Sequence, residues 1–267
     1  MQILNIAGYK FIQLLEIEAL RAFFLDQCLA LDLKGTILLS REGINLSLAG
    51  TPDQIQSFRT LLQNDARFMD MQFHESYSAS QPFQRLKVKL KKEIITLGQP
   101  DANPLTERAP AISPEEFKQW LDEKRDITIL DTRNDYEVQF GTFTGSVNLH
   151  LADFGELPDA VKQLERKKPI VMFCTGGIRC EKAALHMLNN GFSNIYQLDG
   201  GILGYFRKVG GAHYDGECFV FDERVSLDSN LNISHTQQCR ICQQPVTVAQ
   251  QALPAYVADV SCPTCVS

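Results

Sequence analysis

Cys174 is the residue whose surroundings point most directly to chemistry. It opens the segment Cys174-Thr-Gly-Gly-Ile-Arg179, which follows the apolar run Pro169-Ile-Val-Met-Phe173 and precedes a stretch of helical composition that begins at Cys180. The apolar run predicts a buried strand, so the segment turns the chain at the carboxyl end of a strand, where open α/β sheets place their active sites. We therefore expect a strand–loop–helix pocket that Cys174 opens.

The other residues of this loop favour an ionised cysteine. They are Thr175, Gly176, Gly177, Ile178 and Arg179. The two glycines let the backbone fold tightly, so that successive N–H groups can point inward and hold an anion. The helix N-terminus and the arginine add positive potential, which favours the thiolate over the thiol. The alternative is a cysteine that only fills core space, but the loop composition favours a nucleophile.

Three further residues are expected to shape this pocket. Asp131 and Arg133 follow another apolar run and should hydrogen bond at a strand end, with Arg133 the better candidate for ligand contact. Cys180 is either a resolving cysteine or a packing residue. A phosphatase loop of the Cys-x5-Arg kind would need arginine at 180, whereas Arg179 closes a shorter loop, whose smaller cradle suits a phosphoryl group less well.

Four other cysteines have the spacing of a metal site. Cys239 and Cys242 form one Cys-x2-Cys pair, and Cys262 and Cys265 form a second. The two pairs are separated by 19 intervening residues. Two such knuckles can offer four thiolates to zinc, which would be structural because no coordination position stays open. The alternatives are four reduced cysteines in a mobile tail, or disulfides formed on oxidation.

The elements that carry these residues predict an α/β protein with three parts. Residues 1–98 read as a ferredoxin-like α+β domain of βαββαβ order, closed by a long strand at 85–95. Four prolines between 98 and 114 indicate a linker at 99–112. Residues 113–215 alternate strands and helices, as a parallel-sheet domain does. Residues 216–267 form a cysteine-rich extension that is too short for a core of its own and needs a cross-link or a metal ion to stabilise it.

The densest cationic feature is the segment 85–91, which alternates basic and apolar residues. As a strand it would display Arg85, Lys87, Lys89 and Lys91 on one face and bury the apolar residues between them. Such a row can follow a phosphate backbone, and Phe73, Tyr77 and Phe83 lie close in sequence for base stacking. The alternative is an edge strand whose lysines block sheet-to-sheet pairing.

Bulk properties set limits on the function. The chain has 267 residues and a net charge of −6, which argues against a general nucleic-acid coat protein but allows a local basic surface. It has no apolar run long enough to cross a bilayer and no signal-peptide pattern, so we expect a cytoplasmic protein with no membrane partner. No organic-cofactor motif is evident.

The loop, together with Asp131-Thr-Arg133 and the turn Gly200-Gly201, resembles a rhodanese domain over roughly residues 113–210. The resemblance is closer to the bacterial rhodanese-like tRNA uridine hydroxylases. It extends to Val171–Ala183, Asp131–Glu137, Pro82–Leu90 and Glu217–Arg224. Residue 84, however, is glutamine where a basic residue is expected.

This resemblance implies oxygen-dependent conversion of the wobble uridine, position 34 in the anticodon loop of tRNA, to 5-hydroxyuridine, with molecular oxygen as co-substrate and Cys174 as catalytic residue. Attack of the thiolate on C6 of uracil would make C5 enolate-like and able to react with oxygen. The alternative within the same fold is a sulfurtransferase that carries a persulfide on Cys174 in tRNA thiolation or sulfur trafficking. A non-enzymatic adaptor fits an intact nucleophile loop poorly.

Overall fold

The computed structural model describes residues 2–266, and it divides the chain into two compact units between Arg108 and Ala109. Within the described residues, no helix has the length and apolar character that a membrane span requires. The mixed α/β class predicted from the sequence is confirmed in both units.

The first unit is a five-stranded sheet with two helices. Its elements are β1 Ile3–Phe11, α1 Ile17–Ala30, β2 Lys34–Ser40, β3 Gly43–Gly50, α2 Pro52–Gln63, β4 His74–Ser78 and β5 Leu86–Leu90. The sheet order is β4-β1-β3-β2-β5, in which the first four strands are antiparallel and β5 runs parallel to β2. Both helices bury an apolar stripe in the core, which includes Cys28 on α1.

The closing strand of this unit differs from the prediction. The fourth strand of the βαββαβ unit is β4, and the segment predicted to close it forms the shorter β5 at the opposite edge. Strand β4 has the sequence His-Glu-Ser-Tyr-Ser and is mostly half-buried. An edge strand that pairs on one side needs few apolar residues, so its sequence carries a weak strand signal.

The second unit contains a five-stranded parallel sheet of order β6-β11-β10-β7-β9. The strands of this part of the chain are β6 Ala111–Ile112, β7 Thr128–Asp131, β8 Gly141–Phe143, β9 Val147–Asn148, β10 Ile170–Phe173 and β11 Ile195–Leu198. All of them except β8 belong to the parallel sheet. Its helices are α3 Pro114–Asp122, α4 Asp135–Val138, α5 Leu157–Ala160, α6 Ile178–Asn189 and α7 Gly201–Val209.

Two features of this unit depart from the expected boundaries. Strand β6 lies inside the predicted linker, because Ala111 and Ile112 pair with the end of β11. The helix expected between β9 and β10 from the alternation of strands and helices is a single α-helical turn, α5, between two short 3₁₀ segments, Phe154–Glu156 and Val161–Gln163. Pro158 stands in the first turn of α5, where its missing N–H needs no partner.

The C-terminal residues fall into two parts. The strands here are β12 Tyr214–Gly216, β13 Cys218–Phe219, β14 Ser226–Leu227, β15 Gln237–Gln238 and β16 Pro245–Val246, followed by α8 Val248–Gln251. Cys218, Val220 and Leu227 belong to the same apolar core as Phe173 of β10. Cys239, Val246 and Cys262 form a separate small cluster. The first part of the predicted extension therefore completes the core of the parallel-sheet domain.

Candidate active site

Cys174 follows directly after β10, the strand at the centre of the parallel sheet. All four residues of β10 are buried, and Cys174 itself is 1% exposed. The chain then turns into α6 through Gly177, whose φ of 99° is a left-handed conformation that glycine adopts without strain. The N–H of Gly177 donates a hydrogen bond to the Cys174 Sγ at 3.1 Å. The strand end, the turn and the helix start thus hold the sulfur against a backbone donor.

The start of α7 fixes the same loop from the other side. The N–H of Ile202 donates to the carbonyl of Cys174 at 3.0 Å, and the N–H of Leu203 donates to that of Thr175 at 3.1 Å. A Cβ at Gly201 would lie 2.4 Å from the Cys174 carbonyl oxygen, so any side chain there would push the helix off the loop. The Gly200-Gly201 turn therefore sets the position of the nucleophile loop.

The surroundings of Cys174 favour its thiolate. Burial alone would raise its pKa, but a hydrogen bond from Cys180, the charge of Arg179 and the backbone N–H groups of Arg179 and Gly177 lower the pKa to about 5. Burial and the neighbouring Cys174 thiolate raise the pKa of Cys180 well above its usual range. Both shifts favour the negative charge on Cys174 and the proton on Cys180.

Glu137 is the acidic partner of this site and was not singled out by the sequence. Its carboxylate is fully buried and accepts two hydrogen bonds from the Arg179 guanidinium, at 2.6 and 2.8 Å. It also accepts from the backbone N–H of Asn134 at 3.1 Å. This bidentate pair fixes the arginine beside the cysteine. In the sequence, Glu137 is marked only as the last residue of the Asp131–Glu137 motif. Its contact with Arg179 arises from the fold.

Asp131 and Arg133 are fully buried and bind each other. The Arg133 guanidinium donates to both carboxylate oxygens of Asp131 and, at 2.6 Å, to the carbonyl oxygen of Gly141. Thr142 donates to the same carboxylate at 2.8 Å. The pair therefore ties the end of β7 to β8. The ligand contact expected of Arg133 is absent from this arrangement, because protein acceptors surround its guanidinium and it has no exposed surface.

The segment after β12 covers part of the site. Cys218 is buried near Thr175, Arg133 and Glu137, and burial raises its pKa to about 12. The Phe221 ring is 59% exposed and lies 5.9 Å from the Arg179 guanidinium carbon. Neither residue has a role predicted from the sequence beyond its place in the motif Glu217–Arg224. The structure explains that motif as a segment packed beside the Cys174 loop.

A histidine–carboxylate pair lies at the carboxyl end of β9. The His150 Nδ1 is 2.7 Å from the Asp135 Oδ1, and Asn148 donates to the same oxygen at 2.8 Å. The His150 side chain is 75% exposed, and its backbone has a left-handed φ of 53°. The two residues are 15 positions apart, so spacing alone could not reveal the pair.

The predicted RNA-binding row lies on and beside β5, an edge strand of the first unit. Arg85, Lys89 and Lys91 are exposed and Lys87 is partly exposed, whereas Val88 is buried. Arg21 of α1 donates to the Val88 carbonyl. The edge position also fits the alternative in which the lysines block sheet pairing.

Two of the three aromatic residues expected near this row, Tyr77 and Phe73, lie elsewhere, whereas Phe83 directly precedes Gln84 and Arg85. Tyr77 is on β4, at the opposite edge of the sheet, which a spacing of about 4.8 Å per strand places about 19 Å away. Phe73, just before β4, packs against the core and under the Arg59 guanidinium. Tyr77 and Phe73 therefore cannot stack bases beside the row on β5.

The four tail cysteines converge. Their Sγ atoms all lie within 4.8 Å of one another. The Sγ–Sγ distance is 3.6 Å for Cys239–Cys265 and 3.5 Å for both Cys242–Cys262 and Cys262–Cys265. A tetrahedral zinc with Zn–S bonds of about 2.3 Å would set the sulfurs about 3.8 Å apart. The donor set and its size therefore fit zinc.

Two family models match the chain, one in each unit. The UPF0176 acylphosphatase like domain matches residues 3–94, and the rhodanese-like domain matches residues 113–208. One solved structure, a rhodanese-related protein from Thermoplasma volcanium, is similar over 38% of this chain and 94% of its own, at 28% identity and a TM-score of 0.32.

Curated relatives are similar over the whole chain. The tRNA uridine(34) hydroxylase of Cupriavidus taiwanensis is 50% identical, over 100% of this chain and 97% of its own length. The protein of the same name from Paraburkholderia xenovorans is 47% identical, over 99% of this chain and 96% of its own. The similarity therefore includes both units and the cysteine-rich tail.

Proposed function

The chain belongs to the tRNA uridine(34) hydroxylase family, and from this membership we propose that it converts uridine 34 of tRNA to 5-hydroxyuridine with Cys174 as its nucleophile. The observation that carries the proposal is the buried Cys174 sulfur, held by the Gly177 N–H beside the Arg179–Glu137 pair. A tRNA substrate also favours a cytoplasmic location.

The proposed reaction begins at C6 of uracil. Addition of the Cys174 thiolate to C6 moves electron density to C5 and the C4 carbonyl, which makes C5 reactive toward molecular oxygen. Backbone N–H groups of the loop can stabilise the negative charge that develops on oxygen atoms of the substrate. Arg179 acts as a positioning residue. The Glu137 carboxylate holds its guanidinium beside the Cys174 sulfur and balances its positive charge.

The substrate base must approach Cys174 from the loop side. Thr175, Gly176 and Ile178 are only partly buried, whereas the strand β10, Cys174 and Arg179 are buried. A wobble base is unpaired in the anticodon loop and costs less to extrude than a base in a duplex. The exposed Phe221 ring lies beside this approach and offers an aromatic face for stacking.

Sulfurtransfer is the second candidate function. It is favoured by the match of residues 113–208 to the rhodanese-like model, since a six-residue loop that opens with cysteine also suits a persulfide. In that reaction Cys174 would carry sulfur from a donor to tRNA. The two candidates leave different products, namely a base with an added oxygen and a base in which sulfur replaces oxygen.

A reconstituted reaction separates these candidates. Purified protein is incubated with unmodified tRNA and a thiol reductant, in air and under nitrogen, and the nucleosides are analysed by mass spectrometry. We expect 5-hydroxyuridine in air only, and none from Cys174→Ser, because serine does not form a comparable nucleophile at this site. Normal product from the serine variant would refute covalent catalysis by Cys174. A thiolated base made from a sulfur donor would favour the second candidate.

We also propose that the row Arg85, Lys87, Lys89 and Lys91 contacts the phosphate backbone of tRNA. Support comes from the exposure of three of the four side chains along one strand edge of an acidic protein. Phosphate contacts of this kind set affinity and make it depend on salt.

Charge reversal tests this contact. The double variant Lys87→Glu/Lys89→Glu should bind tRNA about ten- to a hundredfold more weakly at low salt, with a shallower salt dependence, because contacts to phosphate release counterions. The matched control is Lys124→Glu/Lys167→Glu, which makes the same change in net charge at exposed positions of the second unit. Equal affinities of the two double variants would assign the lysines of β5 to protection of a sheet edge.

The cysteine tail is proposed to hold a structural zinc ion. The ligands would be Cys239, Cys242, Cys262 and Cys265, whose sulfurs already have near-tetrahedral spacing. Four thiolates fill the coordination shell, so the ion would stabilise the tail and take no part in the reaction at Cys174.

A further inference from the structure

Cys180 is a second buried thiol on the loop of the nucleophile. It lies in the first turn of α6, and its N–H donates to the Gly177 carbonyl at 3.0 Å, while the Gly177 N–H donates to the Cys174 sulfur at 3.1 Å. Its other polar neighbour is the Thr132 hydroxyl, 3.7 Å away, which itself donates to the Phe173 carbonyl. The two thiols therefore form a buried pair at the two ends of one loop.

The proposed hydroxylation has an unmet requirement for electrons. When molecular oxygen places one oxygen atom on C5 of uridine, the other atom leaves as water, and this needs two electrons and two protons. Two thiols supply this number when they become one disulfide. A reductant positioned against the nucleophile can act within the same turnover.

We propose that Cys180, with Cys174, is the internal reductant of the hydroxylation, an inference that rests on the proposed function. The steps follow from the positions of the two sulfurs. Cys174 bonds to C6 of uracil, and oxygen adds at C5 to give a C5 hydroperoxide. The Cys180 sulfur then attacks the outer oxygen, the O–O bond breaks, C5 keeps a hydroxyl group and Cys180 becomes a sulfenic acid.

The remaining steps restore the base and close the balance. C5 loses its proton as the Cys174 thiolate leaves C6, which gives 5-hydroxyuridine. The free thiolate attacks the Cys180 sulfenic acid, forms the disulfide and releases water. In sum, uridine, oxygen and two thiols give 5-hydroxyuridine, water and one disulfide. An external thiol or dithiol then reduces the pair by exchange.

A single-turnover experiment tests this step. Reduced protein, freed of small thiols, is mixed in air with a molar excess of unmodified tRNA, and 5-hydroxyuridine is measured together with the peptide that joins Cys174 and Cys180. We expect one disulfide for each 5-hydroxyuridine formed, and resumed turnover only when dithiothreitol is added. Product formed without loss of the two thiols, or a disulfide that forms at the same rate without tRNA, would overturn the proposal.

Two variants sharpen the result. Cys180→Ala should lose the single turnover in the absence of added reductant, whereas Cys28→Ala, a buried cysteine in the core of the first unit, should retain it. The ultraviolet absorbance of the Cys174 thiolate and the thermal unfolding of Cys180→Ala check that the site is intact. A full single-turnover yield from Cys180→Ala would exclude Cys180 as the reductant. If the wild-type protein with dithiothreitol makes no 5-hydroxyuridine, the hydroxylase function itself fails.

Discussion

The second unit contains two cysteine sites that are built in opposite ways. Cys174 is a single sulfur held inside a parallel sheet by two helix starts, a backbone N–H and a buried ion pair. The four tail cysteines form a cluster near the surface, where the hairpin of the short strands β15 and β16 meets the C-terminal turns. Val246 is the one fully apolar residue among the buried members of this cluster. The first site draws on distant parts of the chain, and the second on two short local motifs.

This difference fits the two chemistries proposed for these sites. A reactive thiolate needs donors fixed in advance and little water around it, which only a surrounding fold provides. A structural metal ion needs four ligands, and its binding energy replaces the apolar core that a short segment lacks. Each site should therefore survive damage to the other.

Metal removal should have the largest effect, and the loss of order should be confined to the tail. Chelation of the reduced protein, or Cys242→Ser, should abolish the order of residues 237–265, because structural zinc contributes about 10–16 kcal/mol to the folding of small zinc domains. Hydrogen exchange measures this loss, and the protection of β10 and α6 should stay unchanged. Reduced protein that purifies without zinc and keeps an ordered tail would contradict the proposed metal site.

The two sites also differ in how far the sequence predicts them. The cluster of four tail cysteines follows from spacing alone, because two Cys-x2-Cys knuckles determine their own local geometry. The Cys174 loop was recognised for the same reason, as were β10 and α6 around it. Glu137 contacts Arg179 across 42 residues and Gly201 contacts Cys174 across 27, and these contacts depend on which strands and helices become neighbours. Sequence periodicity carries no information on such contacts.

The errors in the fold have a similar cause. Strand β4 was missed because an edge strand needs few apolar residues. The prediction therefore took the segment of β5 as the closing strand of the βαββαβ unit. Arg133 was expected to meet a ligand because it follows a strand end, but its guanidinium turns inward to Asp131 and Gly141. A strand end fixes where a residue lies, whereas the direction of a long side chain depends on acceptors contributed by other segments.

Removal of the Glu137 charge should have the next largest effect and should damage the Cys174 site alone. Glu137→Gln leaves the buried Arg179 guanidinium without its anion, and loss of one partner of a buried ion pair destabilises a protein by about 3–5 kcal/mol. Urea unfolding of the second unit measures this change, with the exposed Glu165→Gln as matched control. Zinc content per chain should be normal in both variants. Equal stabilities would show that Arg179 finds another acceptor.

The smallest effect distinguishes the two kinds of thiolate by titration. The thiolate absorbance of wild-type protein minus that of Cys174→Ser should rise with a midpoint near pH 5, because the loop lowers the Cys174 pKa from 9.0 to about 5. Zinc-bound cysteines stay deprotonated over this range and cancel in the difference. Because the pKa is lowered in the folded state, Cys174 should also stabilise the fold increasingly from pH 5 to 9, and this contribution is lost as the pH falls through 5. A midpoint near 9 would mean that burial outweighs the donors of the loop, and Cys174 would then be a thiol at neutral pH.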